Sequence, residues 1–160
     1  VVAAGGADAP AVSLAQAVRG FRARQQALGW PVDAELTVVG EPVPVGEAVE
    51  TALVRAAQAS LANVAQHARA RRCRVTLTWL PGEVALDVAD DGAGFDAVDV
   101  AARQGGPGTG VGLAGLRERV AGVGGHVTVE TAPGEGTVVA VRVPLTGVDR
   151  GRKDEERSRA

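Results

Sequence analysis

Aromatic side chains are scarce in this chain. Phe21, Trp30, Trp79 and Phe95 are the whole set, and tyrosine and methionine are missing altogether. With 46% of its 160 residues apolar, the chain can bury a core, but one assembled from Val, Leu and Ala rather than from rings. The single cysteine, Cys73, rules out an intrachain disulfide and any cysteine-rich metal site. It is expected inside the core as a small apolar group. No run approaches the roughly 20 apolar residues of a membrane-spanning helix. The start, Val1-Val2-Ala3, has no charged stretch leading into an apolar one, so no signal peptide is expected. The missing initiator methionine fits an excised fragment. Positive charge is not in excess either: 17 Lys and Arg against 19 Asp and Glu leave a net charge of -2. That argues against a nucleic-acid partner.

What is present suits one domain. Residues 1–10 are expected to be a linker, 11–146 the folded domain, and the mixed-charge run 147–160 a disordered tail. Leu14, Val18, Phe21 and Leu28 predict a helix over 11–29, with Gly29 as its stop. Val32–Val39 alternates as a strand, and 40–46 is a loop. Val49, Leu53, Ala56, Ala57, Leu61, Val64 and Ala68 form one apolar stripe, predicting a long helix over 47–69. Cys73–Trp79 and Val84–Val88 pair as a hairpin across Pro81-Gly82. A glycine-rich region, 92–112, holds a short helix near 96–103. A helix follows over 113–123, stopped by Gly124-Gly125. Val127–Thr131 and Thr137–Val143 form a second hairpin. Strands come in sequential pairs rather than in strict βαβ alternation. The expected class is therefore α+β: a two-layer α/β sandwich, its mixed and mostly antiparallel sheet covered by helices on one face.

Three local patterns carry chemistry. Asp90-Asp91-Gly92-Ala93-Gly94-Phe95 follows a strand directly. A carboxylate there can accept a hydrogen bond from an exocyclic amine, and the glycines let a base approach the backbone. Taken alone, it is also an ordinary Asp-Gly turn. Gly105-Gly106-Pro107-Gly108-Thr109-Gly110-Val111-Gly112-Leu113 runs into a helix, where free N–H groups and the helix dipole favour phosphate. Gly110 to Gly115 also satisfies G-x-G-x-x-G. A dinucleotide fold needs a strand just before it, however, and Gln104-Gly105-Gly106-Pro107-Gly108-Thr109 cannot be one. On the long helix, Ala59, Asn63, Gln66 and His67 share a face at helical spacing. An asparagine oxygen there can ligate Mg²⁺, although by itself this is a polar patch on a solvated helix.

Taken in order, Asn63-x-x-x-His67, Asp90-x-Gly92-x-Gly94-Phe95 and Gly108-x-Gly110-x-Gly112-Leu113 resemble the asparagine box and the two glycine boxes of the histidine-kinase ATP domain. That domain belongs to the Bergerat-type (GHKL) ATPase superfamily, which also includes gyrase and mismatch-repair proteins. Arg55-Ala56-Ala57-Gln58, Leu61-Ala62-Asn63-Val64 and Gly112-Leu113-Ala114-Gly115-Leu116-Arg117-Glu118-Arg119-Val120 look like the kinases that partner helix-turn-helix response regulators. The resemblance covers roughly residues 30–145. It implies ATP and Mg²⁺ as cofactors. Asn63 would ligate the metal and His67 would lie near the phosphates or ribose. Asp90 would take the adenine amine, with Gly92 and Gly94 allowing close approach and Thr137 beside it. Gly108, Gly110, Val111, Gly112 and Leu113 would line the phosphate site, at the end of a lid over about 95–110.

The resemblance further implies a cytoplasmic domain of a membrane-associated sensor kinase, with two partners: the phosphoacceptor dimerisation domain of the same kinase and a downstream response regulator. There are two departures from the pattern. Ala59 stands where the family usually carries a glutamate that activates water in hydrolytic members. Gln66 stands where a basic residue is common. Of the two histidines, His67 lies inside the ATP pattern and His126 opens a strand; neither has the setting of a phosphoacceptor. The fragment is therefore expected to be monomeric and to bind Mg·ATP without phosphorylating itself. The alternatives are a non-catalytic nucleotide sensor, a serine kinase of the anti-sigma type and a gyrase-type hydrolase; Ala59 counts against the last.

Overall fold

The computed structural model describes residues 6–94 and 111–145. The lid with its short helix, Phe95, Gly108, Gly110 and the tail from 147 lie outside the described residues. So do the side chains of His67, Val111 and Leu113. The elements run α1 (Ala9–Ala27), β1 (Asp33–Val39), α2 (Glu47–Asn63) with a π-helical turn (Val64–Ala68), β2 (Arg72–Leu80), β3 (Glu83–Asp90), α3 (Val111–Ala121), β4 (His126–Thr131) and β5 (Thr137–Pro144).

Five strands form one sheet in the order β1-β2-β3-β5-β4. β2/β3, β3/β5 and β4/β5 pair antiparallel, while β1 lies parallel to β2. The class is the expected two-layer α+β sandwich. Both hairpins form as the alternation indicates, with strand ends that coincide with the expected ones or lie one or two residues beyond them.

Register explains the layering. Cys73, Val75, Leu77 and Trp79 stand opposite Asp90, Val88, Leu86 and Val84, and those stand opposite Thr137, Val139, Val141 and Val143. Most of this face is Val and Leu, and the helices cover it. α1 contributes Leu14, Val18 and Phe21; α2 contributes Leu53, Ala56, Ala57 and Leu61; α3 contributes Leu116 and Val120. The alanines of α2 let its axis lie close to the sheet, so a core with few rings can still close-pack. The opposite face carries Arg74, Thr76 and Asp87. Arg142 binds Asp87 at 3.1 Å, and Arg74 reaches Asp33 at 3.1 Å. These partly exposed pairs contribute little to stability.

α1 begins two residues before its expected start and ends where Gly29 takes a left-handed φ of +80°. It packs into the core: Leu14 and Phe21 are fully enclosed, and Ser13 Oγ donates to Glu50 Oε1 at 3.0 Å. Replacing Phe21 with alanine should therefore cost about 3–5 kcal/mol. Urea unfolding checks this, with a lower midpoint at an unchanged slope as the expected outcome.

Candidate functional site

One end of the sandwich gathers the ends of five elements. β3 finishes at Asp90, directly opposite Thr137, where β5 begins, and Cys73, near the start of β2. α2 finishes at Asn63, and only the π turn and three residues separate it from β2. α3 starts here as well. Its last turn feeds through Gly125 into His126, which pairs with Arg142 at the far end of the sheet. Its eleven residues rise about 16 Å and return Val111 towards Asp90.

Strand alternation puts the Asp90 side chain on the helix-covered face, where it is half-buried. Burial raises its pKa above the usual 3.8 and Asp91 adds to the rise, while the backbone N–H groups of Gly92 and Thr137 oppose it. The Gly92 N–H donates to Asp90 Oδ1 at 2.9 Å, leaving the rest of the carboxylate for a ligand. Beside it, Cys73 is fully enclosed; burial and the Asp90 charge push its thiol up to about 12, so it is an inert packing group.

The walls are backbone. Gly94 has φ +62°, and a Cβ there would fall on the Ala132 carbonyl oxygen. Gly136 has φ +74°; a Cβ there would strike the Asp90 carbonyl oxygen and lie 3.3 Å from Asp91 Cα. Gly134 N–H donates to the Ala93 carbonyl at 2.6 Å. The loop after β3 and the β4–β5 turn thus touch main chain to main chain, which only glycine permits here. Thr137 is buried, with its hydroxyl 3.0 Å from that of Thr131, which also donates to the Gly136 carbonyl at 3.2 Å.

Asn63 is half-buried on the last α-helical turn, and its amide makes no hydrogen bond to another described residue. Ala59, one turn earlier, is half-buried on the same side. The face inferred from sequence does not continue further. After Asn63 the helix widens into the π turn, so α-helical spacing no longer relates Gln66 and His67 to Asn63, and Gln66 is exposed. A π turn spends an extra residue per turn and occurs often at functional sites; Arg69, in the left-handed region at φ +49°, closes it. α3 begins at Val111, two residues sooner than expected. Gly112 and Leu113 therefore lie in its first turn, where backbone N–H groups are free of intrahelical partners.

These groups suit a nucleotide with a hard cation. The half-buried carboxylate matches an exocyclic amine, the glycine-lined walls admit a flat ring, the uncommitted amide is an oxygen donor, and a helix N-terminus favours phosphate. Sequence reasoning missed Asp91. Its Oδ1 accepts the backbone N–H groups of both Arg71 and Arg72, each at 2.9 Å; the Arg72 bond chiefly holds its pKa below 3.8. The tandem Asp90-Asp91 was the available signal, because consecutive side chains at a strand end cannot both face one ligand.

A sheet covered on one face by helices, with a carboxylate and two glycine-backed loops at its end, defines a Bergerat-type nucleotide-binding fold. Residues 48–147 match the family described as histidine kinase-, DNA gyrase B- and HSP90-like ATPase, and the chain belongs to that family. It is 30% identical over 138 residues to the sensor histidine kinase LiaS of Bacillus subtilis, covering 86% of this chain and 35% of LiaS. It thus spans about a third of that relative's length. Among solved structures, the mycobacterial sensor histidine kinase MprB is 25% identical with a TM-score of 0.63, over 84% of this chain and 93% of that one. The histidine kinase domain of the blue-light activated kinase of Erythrobacter litoralis EL346 superposes with a TM-score of 0.64 at 24% identity, over 84% and 61%. The chain is thus an ATP-binding catalytic domain of the type found in sensor histidine kinases.

Ionising Asp90 works against folding. A carboxyl whose folded-state pKa is raised costs stability once the pH exceeds that value, and costs nothing below its unfolded pKa, where it is protonated in both states. Asp90→Asn, which keeps an oxygen for the Gly92 N–H, should therefore raise the melting temperature of the nucleotide-free protein at neutral pH. The gain should vanish as pH falls below 3.8. Melting curves across that range check it; a variant no more stable than wild type at neutral pH would refute it.

Proposed function

We propose that this domain binds Mg·ATP and donates the γ-phosphoryl group to a histidine on a separate dimerisation domain. The observation that carries the proposal is Asp90: a carboxylate desolvated on the core face, yet left open beside loops that only glycine can build. Burying a charge is costly and is offset where a ligand supplies the partner. In this scheme Asp90 accepts the adenine amine and Thr137 lines the same pocket. Asn63 holds Mg²⁺, which would neutralise charge on the transferring phosphoryl. The first turn of α3, with Gly112 and Leu113, faces the phosphates. Gly92 and Gly94 shape the adenine side; Gly108, Gly110 and His67 keep the roles that the resemblance implies. Positioning and charge neutralisation are the main levers for such transfer.

The acceptor comes from elsewhere. His126 pairs with Arg142, five residues along β5 from Thr137, which is about 17 Å of strand. The partners follow: the dimerisation domain of the same kinase, and a response regulator downstream, on the cytoplasmic side where ATP is found. A second reading, a nucleotide sensor without transfer activity, draws on Ala59 and Gln66, neither of which can act as a base or a cation.

Isothermal titration with Mg·ATP should show binding by wild type, weaker in Asp90→Ala by roughly tenfold to a hundredfold. Unchanged affinity would remove the adenine assignment. Incubated with labelled ATP, the fragment alone should take up no acid-labile phosphate, whereas the full cytoplasmic region should. Binding with no transfer in that longer protein would favour the sensor.

A further inference from the structure

We infer that Asp91 is a positioning residue that sets the distance between the adenine side and the metal side of the site. The inference rests on the Mg·ATP assignment above. The local Asp-Gly turn is already made by its neighbour, since Asp90 takes the Gly92 N–H. Asp91 instead reaches back 19 and 20 residues to the N–H groups of Arg72 and Arg71, both at 2.9 Å, and its own N–H donates to the Arg72 carbonyl at 3.2 Å. Three hydrogen bonds thus join the loop that carries Asp90 to residues 71–72.

Those residues are the outlet of the asparagine-bearing helix. Between Asn63 and Arg71 lie only the π turn, Arg69 and Ala70. Trp30 Nε1 holds the Ala70 carbonyl at 3.0 Å, and the Asp33 N–H holds the Arg71 carbonyl at 2.8 Å. The outlet is therefore fixed to β1 and to the end of α1 whether or not Asp91 is present. What Asp91 adds is the tie from this fixed outlet to the loop after β3. Without that side chain the β2–β3 ladder still ends at Asp90 opposite Cys73 and the residue 91 N–H still faces the Arg72 carbonyl, but the loop loses two of its three bonds to the outlet of the helix that presents Asn63. A ligand that contacts only the adenine side is indifferent to that spacing; one that spans both sides is not. An acceptor oxygen at this reach is the requirement, and the asparagine amide oxygen meets it.

Titrations of wild type, Asp91→Ala and Asp91→Asn with adenosine and with Mg·ATP test this. Asp91→Ala should bind Mg·ATP about tenfold more weakly, as the loss of two hydrogen bonds to backbone N–H groups allows. Its adenosine affinity should stay within about twofold, and Asp91→Asn should restore Mg·ATP binding. Equal weakening for both ligands, no weakening for either, or failure of the asparagine to rescue would each overturn the inference. Should Asp91→Ala not fold, Asp91→Glu takes its place, its oxygen displaced by one methylene, with the same split between ligands expected. Wild type that binds no Mg·ATP would overturn the functional assignment itself, and the inference with it.

Discussion

Successive residues of a strand face opposite sides of the sheet, and at the end of β3 that rule decides which of two adjacent carboxylates meets the core. Asp90 shares its face with Cys73 and Thr137, the last row before the apolar layer gives out. There a carboxylate loses much of its hydration yet stays within reach of a ligand, and its pKa rises accordingly. The rest of this end of the molecule is built around that position. The Gly92 N–H takes one oxygen, the thiol beside it stays protonated, and Asp91, displaced from the pocket, bonds the backbone of Arg71 and Arg72. The two acids share a residue type and little else: burial raises the pKa of one, and backbone N–H groups lower that of the other.

Much of this was legible because it is periodic. The alternation at Cys73, Val75, Leu77 and Trp79 names the core face, and the apolar stripe of α2 names the surface laid against it. What escaped is not periodic. Nothing within Asp33–Val39 specifies that it will lie parallel to Arg72–Thr78, because that pairing depends on a crossover through α2 that sequence patterning does not register. The π turn is equally silent: Val64–Ala68 continues the apolar stripe, and only the chain's route into β2 reveals the extra residue. The run Pro133-Gly134-Glu135-Gly136 reads correctly as a hairpin turn, but its second function, as a wall against the Asp90 loop, depends on a contact more than forty residues away in sequence. Within the candidate site, the asparagine, the first aspartate and the glycines stand out in the sequence by spacing and by resemblance. The second aspartate is marked only by the tandem pair, because its partners are backbone groups, which carry no residue signature.

Stability and chemistry are kept at different places in the fold. The helix-covered face holds the enclosed Val, Leu and Phe21 side chains, while the ion pairs of the open face are partly exposed and contribute little. The site occupies the rim, where glycine replaces side-chain packing with main-chain contact. Such a rim is cheap to alter chemically and hard to alter sterically. Changing Asp90 leaves the core intact, whereas adding a methyl group at Gly136 drives it into the Asp90 carbonyl.

Ala59 bears on what kind of transfer this rim can support. It lies half-buried one helical turn before Asn63, where a carboxylate could have served as a base. Water attacking a phosphoryl group must shed a proton, so hydrolysis benefits from a base at that point. A neutral imidazole attacks through a ring nitrogen that already holds a lone pair and carries no proton. Transfer to histidine therefore needs no base from this helix, and a methyl group withholds one from any water that enters. Under the proposed transfer to a histidine on another domain, ATP would wait in the site between encounters, and every hydrolysis in that interval would waste the phosphoryl group. A residue that cannot accept a proton is thus consistent with a kinase, and it would disable a hydrolase.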